Sequence, residues 1–316
     1  MNNAEWFKQA KFGMMVHWGL YSLLAGEWKN QRMPYIGEWI QAYYKIPKKE
    51  YAKLTAAFNP IYFNAEEWIK LAKAAGMEYF VITSKHHDGF ALFHSKADSF
   101  NVVDATPFGR DVIGEIAEAC YKHNMKLGLY YSQELDWRHP HGGGYYCKGL
   151  NFGNTSWTND WDFPENDKKD FAICFEEKIK PQVKEILTQY GDLCLIWFDT
   201  PHVITKEQSM ELYDMVKYYQ PDCLINSRIG NGVGDYKSAG DNQIPEDAQT
   251  GLYESPCTLN DTWGYKSFDN NWKDAETVNK LKKHLNDRGI NYLLNVGPDH
   301  LGRIPAPAYD ILSNLK

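Results

Sequence analysis

Leu195-Ile196-Trp197-Phe198-Asp199 is an apolar run that ends in one carboxylate, and Thr200-Pro201 follows at once. A short Leu/Ile-rich run of this kind fits a strand buried inside a parallel sheet. A charge at the last position of such a strand has no packing role to explain it. In a barrel of βα units the carboxyl ends of the strands carry the active site, so Asp199 is expected to serve as a catalytic acid, base or nucleophile. The competing role is that of a cap for the next loop or helix. A second carboxylate facing Asp199 would complete the chemistry.

Outward from that strand, further apolar runs fall at residues 12–17, 79–84, 126–132, 223–228 and 290–296. Helical patterns lie between them. Asn64-x-x-Glu67 has the form of a capping box opening a helix to about Ala75, and Thr205-x-x-Gln208 has the same form. Residues 109–122, 171–190 and 273–285 carry apolar side chains at helical spacing, and 308–315 closes the chain in the same way. Strand then helix, repeated at least five times, predicts an α/β fold with a parallel sheet and helices outside. No GxGxxG follows the first strand, which disfavours a dinucleotide-binding sheet. The long connections are those from strand to helix, at 88–109, 133–171 and 228–251, while the return connections are short. That asymmetry predicts a (β/α)8-like TIM barrel, regular or irregular, with its active face elaborated, and residues 1–316 are read as a single catalytic barrel domain. The 133–171 loop holds Gly142-Gly143-Gly144 and Trp137, Trp157 and Trp161; a loop of that length is expected to be functional, and a lid is one reading of it.

With 34 basic and 41 acidic residues the net charge is −7, which argues against nucleic acid or an anionic membrane as partner. The 21 Tyr, 15 Phe and 11 Trp suit a protein that stacks rings on sugars, although a large core also uses them. Six scattered cysteines without a CxxC pair read as free thiols rather than a disulfide framework or zinc site. Residues 1–6 form no signal peptide and no apolar run reaches the ~18 residues of a membrane span. The expectation is a soluble, cytoplasmic protein.

If the strands close into a barrel, the polar residues at their carboxyl ends share one cavity. These are His17-Trp18, His86-His87-Asp88, Tyr130-Tyr131-Ser132, Asp199 and Arg228, with Glu38-Trp39 from the first long loop. Imidazoles, an arginine and carboxylates can hydrogen-bond several hydroxyls while the aromatic faces cover an apolar sugar edge. A zinc site is the competitor, but adjacent His86 and His87 would point to opposite faces of a regular strand, and His139-Pro140-His141 reads as surface. No metal and no cofactor are expected. A Ser or Cys nucleophile lacks its elbow motif. A carboxylate pair remains, as glycoside hydrolysis requires, and the second member is sought at Glu254, Asp241 or Glu246.

These segments resemble the α-L-fucosidases of glycoside hydrolase family 29 over nearly the whole chain. The matching stretches are Lys11-Phe12-Gly13 through His17-Trp18-Gly19, Gly37-Glu38-Trp39, Thr83-Ser84-Lys85-His86-His87-Asp88-Gly89-Phe90, and Gly128-Leu129-Tyr130-Tyr131-Ser132. Trp197-Phe198-Asp199, Asn260-Asp261-Thr262-Trp263-Gly264-Tyr265 and Leu293-Leu294-Asn295-Val296-Gly297-Pro298 continue the match. The resemblance implies an exo-acting, retaining α-L-fucosidase that forms its covalent intermediate on Asp199. It places His17, Glu38, Trp39, His86, His87, Tyr130, Trp197 and Arg228 around the fucose. The acid/base is expected at Glu254, by analogy with a Trp-Glu pair before Cys-Thr, with Asp241 and Glu246 as the other candidates. A C-terminal β-sandwich often follows the barrel in this family; the chain ends about twenty residues beyond Pro298 and is expected to be the catalytic domain without it. The implied partner is a fucosylated oligosaccharide or glycoconjugate, with assembly into an oligomer left open. The alternatives are a related exo-glycosidase acting on another L-sugar such as α-L-galactose, and a non-catalytic fucose-binding protein.

Overall fold

The structure, a computed structural model, describes residues 3–142 and 158–315. Eight parallel strands follow one another around a curled sheet in chain order. They are β1 (Phe12–Val16), β4 (Tyr79–Lys85), β5 (Lys126–Tyr131), β6 (Leu195–Phe198), β7 (Leu224–Ile225), β8 (Lys237–Ser238), β9 (Tyr253–Thr258) and β10 (Asn291–Val296). A separate hairpin of β2 (Glu27–Trp28) and β3 (Gln31–Arg32) lies in the first long connection. β1 pairs with β10 on one side and β4 on the other, and the sheet edges meet where Asn226, just past β7, bridges Tyr236, just before β8. The result is an irregular (β/α)8-like barrel, as the alternation of elements predicts.

The two short strands explain the irregularity. No α-helix separates β7 from β8 or β8 from β9; a 3-10 turn at Ser227–Ile229 and a long loop take their place. Sequence patterning shows six of the eight strands. β8 is two residues long, and β9 reads Tyr-Glu-Ser-Pro-Cys-Thr, with neither an apolar run nor a clean alternation. Pro256, which cannot donate to a ladder, falls where β8 has already ended.

Helices pack outside. Asn64 accepts the Glu67 N–H to open Ala65–Ala74, and the capping box at Thr205 and Gln208 opens Lys206–Tyr219. Each such cap contributes about 1 kcal/mol. Asp111 and Asp274 cap Val112–Lys122 and Ala275–Asn286 in the same way. The predicted 171–190 helix is Phe171–Cys174, a π-helical turn at Phe175–Ile179, and Lys180–Gln189.

Between sheet and helices lies the main core, which includes Met14, Ile69, Ile82, Ile116, Ile196 and Leu294. The barrel interior holds Met15, Val81, Leu195, Leu224 and Leu293, with Phe7 of the Asn3–Ala10 helix packed against Tyr79 and Tyr236 at its amino-terminal end. Burying side chains of this size stabilises by roughly 1.5–3 kcal/mol each. A filled interior leaves the carboxyl-terminal mouth as the place for a cavity. Among the described residues the cysteines are free and buried; Cys147 lies outside them. No described helix is long and apolar enough to cross a membrane.

Candidate active site

Every strand of the barrel's first half delivers a polar side chain to the mouth. His17 follows β1, His86 and His87 follow β4, Tyr130 is on β5, and Asp199 stands directly after β6. Arg228 comes from the turn after β7 and Asp241 from the loop after β8. Glu38 and Trp39 arrive from the 3-10 turn Gly37–Trp39. With Met15, Ile36, Trp197 and Trp263 these residues line one pocket that opens at the mouth. All eight residues expected to line the pocket do so, and Asp199 is on its wall. The lid reading of the 133–171 loop rests in large part on residues 143–157, which lie outside the described residues.

Asp199 is held from two sides. Tyr130 donates its hydroxyl to Oδ2 at 2.8 Å, and Arg228 Nη1 donates to Oδ1 at 3.0 Å. The same guanidinium uses Nη2 to bond Asp241 Oδ1 at 2.6 Å and the Ala239 carbonyl at 2.9 Å. Two carboxylates therefore share one cation, and Asp241, with its side chain about half exposed, faces Asp199 in the cavity. Arg228 also lies over the Trp197 ring at 4.6 Å, and Trp197 stacks on Tyr130. Burial lowers the affinity of Arg228 for its proton, but Asp241 and Asp199 reverse this, and the group stays cationic.

Glu254 is elsewhere. It is the second residue of β9, level with Asn291 at the start of β10, so it sits toward the amino-terminal end of the barrel rather than at the mouth. Fully buried, it accepts the Tyr79 hydroxyl at 2.7 Å and Trp197 Nε1–H at 2.9 Å. It is absent from the cavity lining, where it would have to be to face Asp199. The expected position at a strand end fails because a strand, unseen in the sequence, begins one residue before it. Glu246 is also outside the cavity: its side chain is 80% exposed and lies 3.7 Å from His284.

The imidazoles are neutral acceptors. Asn295 donates its amide to the Trp263 carbonyl, so its Oδ1 must accept from His17 Nδ1 at 2.7 Å, which leaves His17 Nε2 bare. Burial pushes His17 down to about 4. Ser132 donates to the Leu135 carbonyl and so accepts from His87 Nδ1, which leaves His87 Nε2 bare at 3.9 Å from Asp199 Oδ2. Burial likewise lowers His86 and His87 well below the ordinary range. Contrary to the expectation of opposite faces, His86 and His87 lie with ring centroids 3.9 Å apart, because β4 ends at Lys85 after a register shift and both residues belong to a turn. Among the described residues no group of three or more His, Cys, Asp or Glu could hold a metal ion.

Behind the histidines is a buried ionic network that the sequence did not single out. Lys85 and Lys178 both bond Asp136 Oδ2, at 3.1 and 2.7 Å, and Lys178 also reaches Asp98. Removing one partner from such a network costs about 3–5 kcal/mol. Through the Trp137 N–H to the His87 carbonyl it ties the 132–137 segment to the histidine turn. Glu134 accepts the backbone N–H groups of His202, Val203 and Ile204 at 2.7, 2.7 and 2.9 Å, fixing the loop that follows Asp199. Trp263 and Asn295 belong to the site as well; both lie in matched motifs, the only signal the sequence offered for them.

Glu38 accepts the Gly264 N–H at 2.7 Å, and burial raises its carboxyl to about 8. The folded chain therefore holds a proton that the unfolded chain releases near pH 4.5. Its contribution is complete below that pH and is lost as pH rises through about 8. Glu134 and Glu254, raised by burial to about 7, and Lys169, lowered by burial to about 8, titrate in the same range, so Glu38 is read from the difference between parent and variant. Thermal unfolding should show Tm falling across that range less in Glu38→Gln than in the parent, by about 2 °C. Equal declines would contradict a neutral Glu38.

Fold and site together define a (β/α)8-barrel protein with a paired-carboxylate pocket at the carboxyl ends of its strands. The sequence profile described as Alpha-L-fucosidase matches residues 1–315. The chain belongs to the alpha-L-fucosidase family. The structure of the alpha-L-fucosidase AlfC from Lactobacillus casei in complex with alpha-L-fucose product superposes with a TM-score of 0.95 at 55% identity, covering 98% of this chain and 96% of that one. An aspartate-to-alanine variant of AlfC in complex with Fucα(1,6)GlcNAc gives 0.93 at 54%, over 98% and 96%. The tissue alpha-L-fucosidase of Bos taurus is 30% identical over 95% of this chain, which spans 63% of its length.

Proposed function

We propose that this protein is an exo-acting, retaining α-L-fucosidase, with Asp199 as nucleophile and Asp241 as acid/base. The observation that carries the reading is the pair of carboxylates held by one arginine in the pocket at the barrel mouth. Retention requires the two groups about 5–5.5 Å apart, and a single guanidinium bonded to both supports so short a separation. A pocket floored by the filled barrel interior suits a terminal sugar. Fucose-bound relatives of the same fold support L-fucose as its occupant.

In the first step an Asp199 oxygen attacks the anomeric carbon and the bond to the leaving oxygen breaks. Asp241 supplies the proton from its Oδ2, the oxygen that Arg228 does not hold. In the second, Asp241 takes a proton from water as that water displaces Asp199, releasing α-L-fucose. Bare His17 Nε2 and His87 Nε2 accept hydrogen bonds from ring hydroxyls, and Glu38, neutral at pH 7, can donate one. Trp39, Trp197 and Trp263 cover the apolar face that bears the C5-methyl group.

The test is hydrolysis of 4-nitrophenyl α-L-fucopyranoside followed by NMR. The first-formed sugar should be the α-anomer, mutarotating afterwards. Initial β-anomer would indicate inversion, and no turnover with retained L-fucose binding would favour a binding protein.

A further inference from the structure

Asp199 lies beyond the last ladder pair of a four-residue strand, yet it must hold its carboxylate to a fraction of an ångström. Two buried side-chain amides take over where the ladder stops. On one side Asn226 bonds Phe198 both ways: its Oδ1 accepts the Phe198 N–H at 2.9 Å and its Nδ2 donates to the Phe198 carbonyl at 2.9 Å. On the other side Gln133, two residues past the end of β5, accepts the Asp199 N–H on Oε1 at 2.7 Å. Its Nε2 donates to the backbone carbonyl of Arg228 at 2.9 Å. Both amides are fully buried.

We propose that Gln133 is a positioning residue for the reaction, a clamp that sets the nucleophile and its counter-cation relative to each other. The inference rests on the fucosidase reading above. One planar amide spans the backbones of Asp199 and Arg228, residues that come from different strands and meet again through their side chains at 3.0 Å. The closed circuit runs from the Gln133 amide to the Asp199 backbone, the Asp199 carboxylate, the Arg228 guanidinium, the Arg228 backbone and back. Such a circuit fixes the carboxylate's orientation as well as its place. Residue 200 adds a reason for the clamp: Thr200 adopts φ +57°, so the backbone turns sharply immediately after Asp199 and no further ladder bond can hold it. Asn226 sets the depth of the strand end; Gln133 joins the two reacting partners.

The experiment compares Gln133→Met, which matches the side chain in length and removes both hydrogen bonds, with Gln133→Glu, which keeps the acceptor and loses the donor. Turnover of 4-nitrophenyl α-L-fucopyranoside by the parent chain is measured first, because its absence would refute the fucosidase reading independently of the clamp. In both variants kcat should fall about 10- to 100-fold, the cost of misplacing a reacting group by about 1 Å, while KM changes less than about threefold. A crystal structure of Gln133→Met tests the clamp whether or not the parent turns over. It should show the Asp199 carboxylate beyond hydrogen-bonding distance of Tyr130 or of Arg228. Parent-like kcat in either variant, or a carboxylate still bonded to both partners, overturns the proposal. So does failure of both variants to fold, which would make the amide a folding determinant only.

Discussion

Asp199→Asn should lose at least about 1000-fold in kcat on 4-nitrophenyl α-L-fucopyranoside, with L-fucose still bound and the fold intact. The amide is close in shape to the carboxylate and can still accept the Tyr130 hydroxyl. What it cannot do is form the fucosyl ester, and with so good a leaving group protonation cannot compensate. The fold survives because Arg228 keeps Asp241 and the Ala239 carbonyl as partners once the charge at 199 is gone, so no uncompensated cation is buried. Stopped-assay kinetics with thermal unfolding as control would check this. Retention of more than a few per cent of parental activity would remove Asp199 from the nucleophile's role. The effect far exceeds that expected for Gln133, since one change deletes the reacting atom and the other only displaces it.

How far the sequence could be read depended on where the physics of an element is local. β1, β4, β5, β6 and β10 are buried on both faces and announce themselves as apolar runs; the strand-end residues His17, His86, His87, Tyr130 and Asp199 followed from them. Helix starts were legible because a cap is a contact between residues three apart, as at Asn64 and Thr205. β8 and β9 were not legible. Their pairing is decided by neighbours distant in sequence, and a strand that carries Glu254 and Pro256 shows no period. That one omission moved Glu254 from the barrel interior to its rim. The amides Gln133 and Asn226 were hidden for a related reason: nothing local distinguishes an amide that completes a ladder from one in solvent. Resemblance to a family marked Trp263 and Asn295 as matched positions, while the hydrogen bond between Asn295 and His17 appears only in three dimensions.

The second large effect separates Asp241 from Glu254. Asp241→Ala should lose about 100- to 10,000-fold on a substrate with a sugar leaving group, whose oxygen must be protonated as it departs. On the aryl fucoside, whose nitrophenolate leaves without help, the first step should be nearly unaffected and the intermediate should accumulate. Added azide, which needs no general base, should then restore turnover and yield α-L-fucosyl azide, the configuration that two displacements give. Glu254→Gln should keep kcat within about fivefold on both substrates, because its amide oxygen can still receive Trp197 Nε1–H and its NH2 can donate to the Tyr79 hydroxyl. Product analysis by mass spectrometry and NMR distinguishes the cases. A dead, azide-rescued Glu254→Gln beside an active Asp241→Ala would reverse the assignment, and it would require the buried carboxyl to reach the substrate through the Trp197 ring. The half-exposed Asp241 needs no such movement: it already faces the cavity, it belongs to a loop rather than a ladder, and the anion that replaces it can enter from solvent.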